Sequence, residues 1–190
     1  LNNLPTARGS LLKHVETDIS GVIVPWLYLG MTWSAFCFHV EDHNFHSINY
    51  LHRGAPKSWW GAPAAAADAF EAAAHDLAPE LFEARPDLLQ GIVTMFEPTE
   101  MARRGVDMVH LVQRPGEFVV TFPRAYHGGF NHGFNAAEAV NFAAPHWLAF
   151  GAQAVERYAS LNKMPVIAHE ALLMAVANRC LVDKAEAAKV

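Results

Sequence analysis

Residues 36–51 read Phe36-Cys37-Phe38-His39-Val40-Glu41-Asp42-His43-Asn44-Phe45-His46-Ser47-Ile48-Asn49-Tyr50-Leu51. Two runs rich in aromatic and β-branched residues, 36–40 and 47–51, flank a polar, histidine-rich segment, which is the pattern of short strands. Side chains alternate faces along a strand, so His39 and Glu41 point one way and Val40 the other. An imidazole and a carboxylate on one face, two residues apart, can take adjacent positions on one metal ion. A third ligand must then come from another strand.

Outward from this stretch, further strand-like runs occupy residues 22–24, 26–29 and 58–61, broken at Gly21, Pro25, Gly30 and Gly54. Residues 63–77 are alanine-rich, begin with Pro63 near a helix N1 position and end before Pro79, so they predict a helix; the competing reading is a compositionally biased tract. Strands are predicted again at 92–96, 109–112, 118–122 and 139–142. Helical spacing returns at 147–158 and 167–184, separated by Met164-Pro165. Many short strands with Gly/Pro turns, one inserted helix and a helical tail predict a barrel or jelly roll with flanking helices. No linker divides the chain; residues 183–190 are polar and alanine-rich and are expected to fray.

The 190 residues suffice for a single core, and 52% of them are hydrophobic, too many for a disordered tail. No apolar run reaches the roughly 20 residues that span a bilayer. A net charge of −5 argues against direct nucleic-acid binding and suits a basic protein or peptide as partner. Two cysteines, Cys37 and Cys180, make neither a disulfide framework nor a four-thiolate zinc site, and fit a reducing compartment. The start, Leu1-Asn2-Asn3-Leu4-Pro5, has neither the basic region nor the apolar core of a signal peptide, and without Met it reads as part of a longer protein.

The eleven histidines crowd into two stretches, the second being residues 123–135. There His127 follows the predicted strand 118–122 more closely than His132 and is the better third ligand. Two histidines and one carboxylate on an octahedral face leave three positions open, the arrangement of non-haem Fe(II) oxygenases. Spacing alone leaves His43 and His46 open as ligands, and a zinc site too, although no His-Glu-x-x-His helix is present. The scattered His14, His52, His75, His110, His146 and His169 are assigned surface or structural roles. Polar residues on otherwise core-like strands need partners when buried. Lys57, Tyr28, Ser47 and Asn49 would all be satisfied by a dicarboxylate; the competing reading leaves Lys57 in solvent and Asn49 in a structural hydrogen bond.

The motifs resemble the JmjC family of Fe(II)- and 2-oxoglutarate-dependent oxygenases, most closely the JARID-type histone H3 lysine demethylases. The matching text includes Val24-Pro25-Trp26-Leu27-Tyr28, His39-Val40-Glu41-Asp42-His43, Ser47-Ile48-Asn49-Tyr50-Leu51-His52 and Pro56-Lys57-Ser58-Trp59. It continues through Thr121-Phe122-Pro123-Arg124-Ala125-Tyr126-His127 and Gly129-Phe130-Asn131, and covers residues 2–160. The resemblance implies a mainly β fold with flanking helices, a double-stranded β-helix (jelly-roll) core, with a JmjC catalytic domain over 1–160 and a helical extension over 161–190 packed on it. It implies iron ligation by His39, Glu41 and His127, and 2-oxoglutarate held by Tyr28 and Lys57 at its far carboxylate. Ser47 and Asn49 would hydrogen-bond that cosubstrate or its neighbours, Phe36 and Trp59 would wall the pocket, and Asn131 would lie close to cosubstrate and methyl-lysine.

The implied activity is oxidation of N-methyl groups of methyl-lysine, at lysine 4 of histone H3, with release of formaldehyde, succinate and CO2. Fe(II), 2-oxoglutarate and O2 are the implied cofactors, with ascorbate as reductant in vitro; the partner is a methylated histone H3 tail and the location nuclear. The alternatives are a JmjC hydroxylase acting on side-chain carbon and a catalytically silent JmjC binding module. Departures from the family pattern are Arg53 and Trp60, where relatives carry an aromatic and a tyrosine, and Gln113-Arg114-Pro115 ahead of Gly116, where relatives have a different turn; these are expected at the pocket rim or behind it. This chain carries no JmjN segment, plant-homeodomain finger or zinc-finger region, modules that longer relatives have and that two cysteines could not build.

Overall fold

The computed structural model describes the backbone of residues 1–187 and the side chains of 1–184. Eight strands form two antiparallel sheets. The first has the order β1-β8-β3-β6, from Trp26–Gly30, Asn135–Phe142, His46–Gly54 and Phe118–Thr121. The second has the order β2-β7-β4-β5, from Ala35–His39, Tyr126–Asn131, Lys57–Ala62 and Val109–Gln113. Successive strands cross from one sheet to the other at every step except β4/β5, which winds the chain into a double-stranded β-helix. The family-implied architecture is the one observed.

The apolar cores lie outside this barrel. Helices α1 (Ala67–Leu77), α2 (Pro79–Ala84) and α3 (Pro98–Arg103) cover the outer face of the second sheet. Phe70, Phe82 and Met101 there meet Phe38 of β2, Ala62 of β4 and Tyr126 of β7. Alanine has a purpose in α1: Ala67, Ala73 and Ala74 are buried, and their small side chains let the helix lie close to the strands. The helix is therefore a packed element and not a biased tract, although a 3-10 turn (Ala64–Ala66) separates it from Pro63. A second core gathers Leu12, Ile23, Phe45, Trp147, Ile167 and Leu172 beneath α4 (Leu148–Ser160) and α5 (His169–Ala187). Residues 183–187, expected to fray, continue α5, while 188–190 lie outside the described residues.

Phe70 stacks on Tyr126 with ring centroids 4.4 Å apart, meets Phe38 at a tilt at 5.1 Å, and is fully buried. Phe70→Ala is expected to cost about 3–5 kcal/mol, lost transfer energy plus a cavity, seen as a lower denaturant midpoint in equilibrium unfolding.

Two runs predicted as strands are not strands in the structure. Residues 22–24 form a turn after a single bridge between Ser20 and Val24, and residues 92–96 run without a ladder, with one bond from the Phe38 N–H to the Thr94 carbonyl. Val22, Ile23 and Phe96 fill the outer cores, whereas Val24, Ile92, Val93 and Met95 are exposed, so apolar composition here marks neither a ladder nor a buried run. Conversely, no strand is predicted over 126–131, where β7 forms around Gly128-Gly129. A Cβ at Gly129 would come within 1.9 Å of the Ser58 carbonyl and 2.7 Å of the Phe36 ring, so glycine is required by the close approach of neighbouring strands and does not mark a turn. Helices α2 and α3, each six residues, were too short to show a period.

Candidate functional site

The ladder places His39, at the end of β2, directly opposite His127, second residue of β7. Glu41 follows two residues on, still extended (φ −63°, ψ 151°), so its carboxylate returns to the face of His39. The Glu41 Oε1 atom lies 3.7 Å from His39 Nε2 and 3.1 Å from His127 Nε2. Each imidazole uses its other nitrogen for a backbone carbonyl: His39 Nδ1 donates to Cys37 O at 2.8 Å and His127 Nδ1 to Ala125 O at 3.0 Å. In the neutral rings the Nε2 atoms are then lone pairs, and both face a carboxylate oxygen. Such a set needs a positive charge at its centre. The three ligand atoms lie within 4.8 Å of one another, a spacing suited to one metal ion.

With a proton on a facing Nε2, burial still opposes ionisation of Glu41, but hydrogen bonding and charge from His127 and His39 outweigh it and hold the carboxyl well below its usual range. Burial likewise opposes charge on His39, and Glu41 overrides it and raises the imidazole; His127 is lowered by burial and then by His39. The carboxylate's second oxygen is fixed by Asn141 on β8, whose Nδ2 donates to Glu41 Oε2 at 2.8 Å and to His46 O at 3.1 Å. Asn141 escaped the sequence reading, although an amide between Val140 and Phe142 is the same kind of signal that singled out Asn49.

The turn after Glu41 is held in an unusual conformation. His43 and Asn44 have φ of 52° and 51°, in the left-handed region that costs about 1–3 kcal/mol each outside glycine. The C-terminal helices hold this turn: Tyr158 Oη accepts the His43 N–H at 2.7 Å, the Trp147 indole donates to His43 O at 2.8 Å, and Asn44 Nδ2 donates to Phe150 O at 3.0 Å. His43 is thereby turned into the outer core, where burial and then His169 push it down to about 4. His46 is also kept from the site and bonds His146 at 2.9 Å. His132 bonds Ser58 Oγ at 2.8 Å on the outer face of the second sheet. None of the three joins the His39–Glu41–His127 group.

All ten residues singled out in the sequence line one cavity of about 250 Å³ between the sheets. Lys57 is buried within it, 5.2 Å from the centroid of the Phe36 ring and 6.0 Å from that of Trp59. It has no ion-pair partner among the described residues, and burial lowers it to about 8. This contradicts the reading that left Lys57 in solvent. Phe36 and Trp59 meet edge-on at 4.6 Å. Ser47 shares a 2.6 Å hydrogen bond with Thr121 across the first sheet. The Asn131 amide is engaged at both ends, donating to Ser34 O and Ser34 Oγ and accepting from Asn135. Tyr28 stands at the mouth. Trp60 faces outward onto His110 and Phe130, away from the cavity. A larger cavity of about 580 Å³ meets the first at Gly21, Tyr28, His39, Glu41 and Asn141, so the histidine–carboxylate group sits where the two join.

Residues 26–142 match the family model described as "JmjC domain, hydroxylase". The chain belongs to the JmjC family. Over 93% of its length it is 51% identical to Lysine-specific demethylase JMJ17 of Arabidopsis thaliana, covering 15% of that protein. It is 50% identical to Lysine-specific demethylase 5B of Gallus gallus over 94% of its length, and 51% identical to Lysine-specific demethylase 5D of Homo sapiens over 93%, covering 12% of each. The chain thus spans between an eighth and a sixth of the length of these relatives.

Proposed function

We propose that this JmjC chain is the catalytic core of an Fe(II)- and 2-oxoglutarate-dependent histone lysine demethylase, acting on a methylated histone H3 tail in the nucleus, at lysine 4. Residues 1–160 form the catalytic domain in this reading and residues beyond 160 a helical extension on it. The observation that carries it is the pairing of two features in one cavity: two imidazole lone pairs converging on a carboxylate, and a buried, unpaired ammonium. The first fits a divalent cation and the second fits the far carboxylate of a dicarboxylate; the pairing matches no purely structural need.

Fe(II), O2 and 2-oxoglutarate together supply the oxidising power, 2-oxoglutarate leaving as succinate and CO2 while the oxidised N-methyl carbon leaves as formaldehyde. His39, Glu41 and His127 hold the metal, with Asn141 presenting the correct carboxylate oxygen. Lys57 and Tyr28 bind the far carboxylate, Ser47 and Asn49 add hydrogen bonds, and Asn131 lies by the methyl-lysine. Phe36 and Trp59 exclude water and strengthen the charge pairing at Lys57. The larger cavity takes the peptide. Its lining is mixed in charge: Arg157 pairs with Glu71 at 3.1 Å and Lys163 lies 3.8 Å from Asp42, which leaves Glu156 as the acidic group without an ion pair among the described residues for a basic tail.

The test is incubation with Fe(II), ascorbate, 2-oxoglutarate and histone H3 peptides methylated at single lysines, read by mass. Loss of methylene from the lysine-4 peptide with release of formaldehyde is the expected result. Gain of oxygen with the methyl groups retained would make the protein a side-chain hydroxylase. Iron-loaded protein that consumes no 2-oxoglutarate with any peptide would make it a silent binding module.

A further inference from the structure

Gln113, the last residue of β5, is almost wholly buried and pairs with Lys57 in the ladder between β5 and β4. Its side chain lies behind the smaller cavity and bonds to both sheets. Its Oε1 accepts the Trp59 indole N–H at 3.0 Å. Its Nε2 lies 3.2 Å from both Asn49 O and Asn49 Oδ1 on β3, and 3.0 Å from Glu117 O.

Three of these partners admit only one polarity. An indole N–H donates and cannot accept, while the backbone carbonyls of Asn49 and Glu117 accept and cannot donate. The Gln113 amide can satisfy all three in one orientation only, oxygen toward Trp59 and nitrogen toward β3. The reverse would bury an N–H against the Trp59 N–H and set an amide oxygen against the carbonyl oxygens of Asn49 and Glu117, the unmet donor alone costing about 1–3 kcal/mol. With the Gln113 nitrogen fixed, the fourth partner, Asn49, must offer its oxygen. Its Nδ2 is then turned away from Gln113, and it has no hydrogen-bond partner among the described residues, while Asn49 itself lines the cavity beside Lys57.

We propose that Gln113 is a positioning residue that, keyed by the Trp59 indole, turns the Asn49 amide so that its N–H2 end faces the cosubstrate cavity. This rests on the reading of that cavity as the 2-oxoglutarate site. Lys57 and Asn49 then present donors side by side, so the cavity takes an acceptor-only group such as a carboxylate, and a ligand ending in an amide or ammonium would meet like groups. Gln113 touches neither metal nor cosubstrate in this role; it acts through Asn49.

The test is calorimetric binding of 2-oxoglutarate to protein loaded with Mn(II), so that no turnover is involved, with folding of each variant checked by thermal melting. Gln113→Met is expected to raise the Kd at least tenfold, and to change it less than twofold when introduced into Asn49→Ala, because the effect passes through Asn49. Asn49→Asp supplies a second measurement should Gln113→Met fail to fold. It replaces the cavity-facing N–H2 by an oxygen and is expected to bind 2-oxoglutarate at least tenfold more weakly than Asn49→Ala does.

If Gln113→Met binds as tightly as the unaltered protein, or weakens binding equally in both backgrounds, the positioning role is wrong and the cosubstrate reading survives. Asn49→Asp binding as well as the unaltered protein also overturns the role, since an oxygen would then already face the cavity. Absence of binding by the unaltered, metal-loaded protein overturns the cosubstrate reading itself and the proposal with it.

Discussion

His39→Ala is expected to lose metal retention and turnover together while the fold survives. In the proposed site the ring contributes one of three ligand atoms, and without it Glu41 Oε1 and His127 Nε2 at 3.1 Å are left as an incomplete pair. Losing a group that only orients a ligand typically costs roughly 10–100-fold in metal affinity or activity; loss of the ligand itself is expected to cost at least about 10³-fold. Elemental analysis after gel filtration reads the metal, and formaldehyde release reads turnover. His39 is half-buried at the mouth of the cavities and outside both apolar cores, so the thermal midpoint should move little beside that of Phe70→Ala. A His39→Ala protein that keeps its iron and still removes methyl groups would show that the ligand set lies elsewhere.

The site was legible in the sequence where chemistry and strand alternation coincide. His39-Val40-Glu41 gives its geometry away because a period of two needs no tertiary knowledge, and Lys57, Tyr28 and Asn49 were conspicuous as polar residues in apolar runs. Local patterns failed where a residue's role is set by its neighbours. Gly128-Gly129 reads as a turn until the Ser58 carbonyl and the Phe36 ring are known to press against it. Residues 92–96 read as a strand on composition alone, yet only Phe96 is buried, while Ile92, Val93 and Met95 lie exposed without a ladder. His43 lies two residues from Glu41 and looked like a ligand; its left-handed backbone, held by Tyr158 and Trp147, turns it the other way. Asn141 carries the same local signal as Asn49, an amide between apolar residues, whereas nothing local marks Gln113, whose bonds to Trp59 and Asn49 exist only once the two sheets face each other.

The placement of the cores explains how such a polar cavity is tolerated. In a small barrel the interior would ordinarily be the hydrophobic core. Here the apolar burial lies on the outer face of the second sheet and beneath the C-terminal helices. The interior is thereby free to hold His127, Asn49, Lys57, Asn131 and Asn141, all buried. The same division makes Glu41 depend on the C-terminal helices, because the turn that follows it is held by groups in and beside α4.

Lys57→Met should separate the stability of the empty protein from its affinity for 2-oxoglutarate, moving them in opposite directions. Without a ligand, the Lys57 ammonium is buried against Phe36 and Trp59 with no counter-charge, and burial lowers it from 10.5 to about 8. One pKa unit corresponds to about 1.4 kcal/mol, so below pH 8 the empty fold carries a penalty of a few kcal/mol for keeping this charge. Methionine has similar length and no charge, and Lys57→Met is expected to raise the thermal midpoint of the ligand-free protein. The unaltered protein gains the same stability by losing the proton: between pH 8 and 10.5 the unfolded chain binds more protons than the folded one, so unfolding free energy rises with pH across that window. Binding behaves in the opposite sense. In the proposed reading the charged lysine is the partner of the far carboxylate, and charge-assisted hydrogen bonds contribute about 1.5–3 kcal/mol, so Lys57→Met should raise the Kd for 2-oxoglutarate about 10–100-fold. In the unaltered protein the Kd should be flat below pH 8 and climb up to tenfold per pH unit above it, because the ligand must then bind together with a proton; in Lys57→Met that rise should vanish. A Lys57→Met protein that is less stable when empty, or that keeps the alkaline rise, would mean that Lys57 is paired within the fold and not held in waiting for a carboxylate.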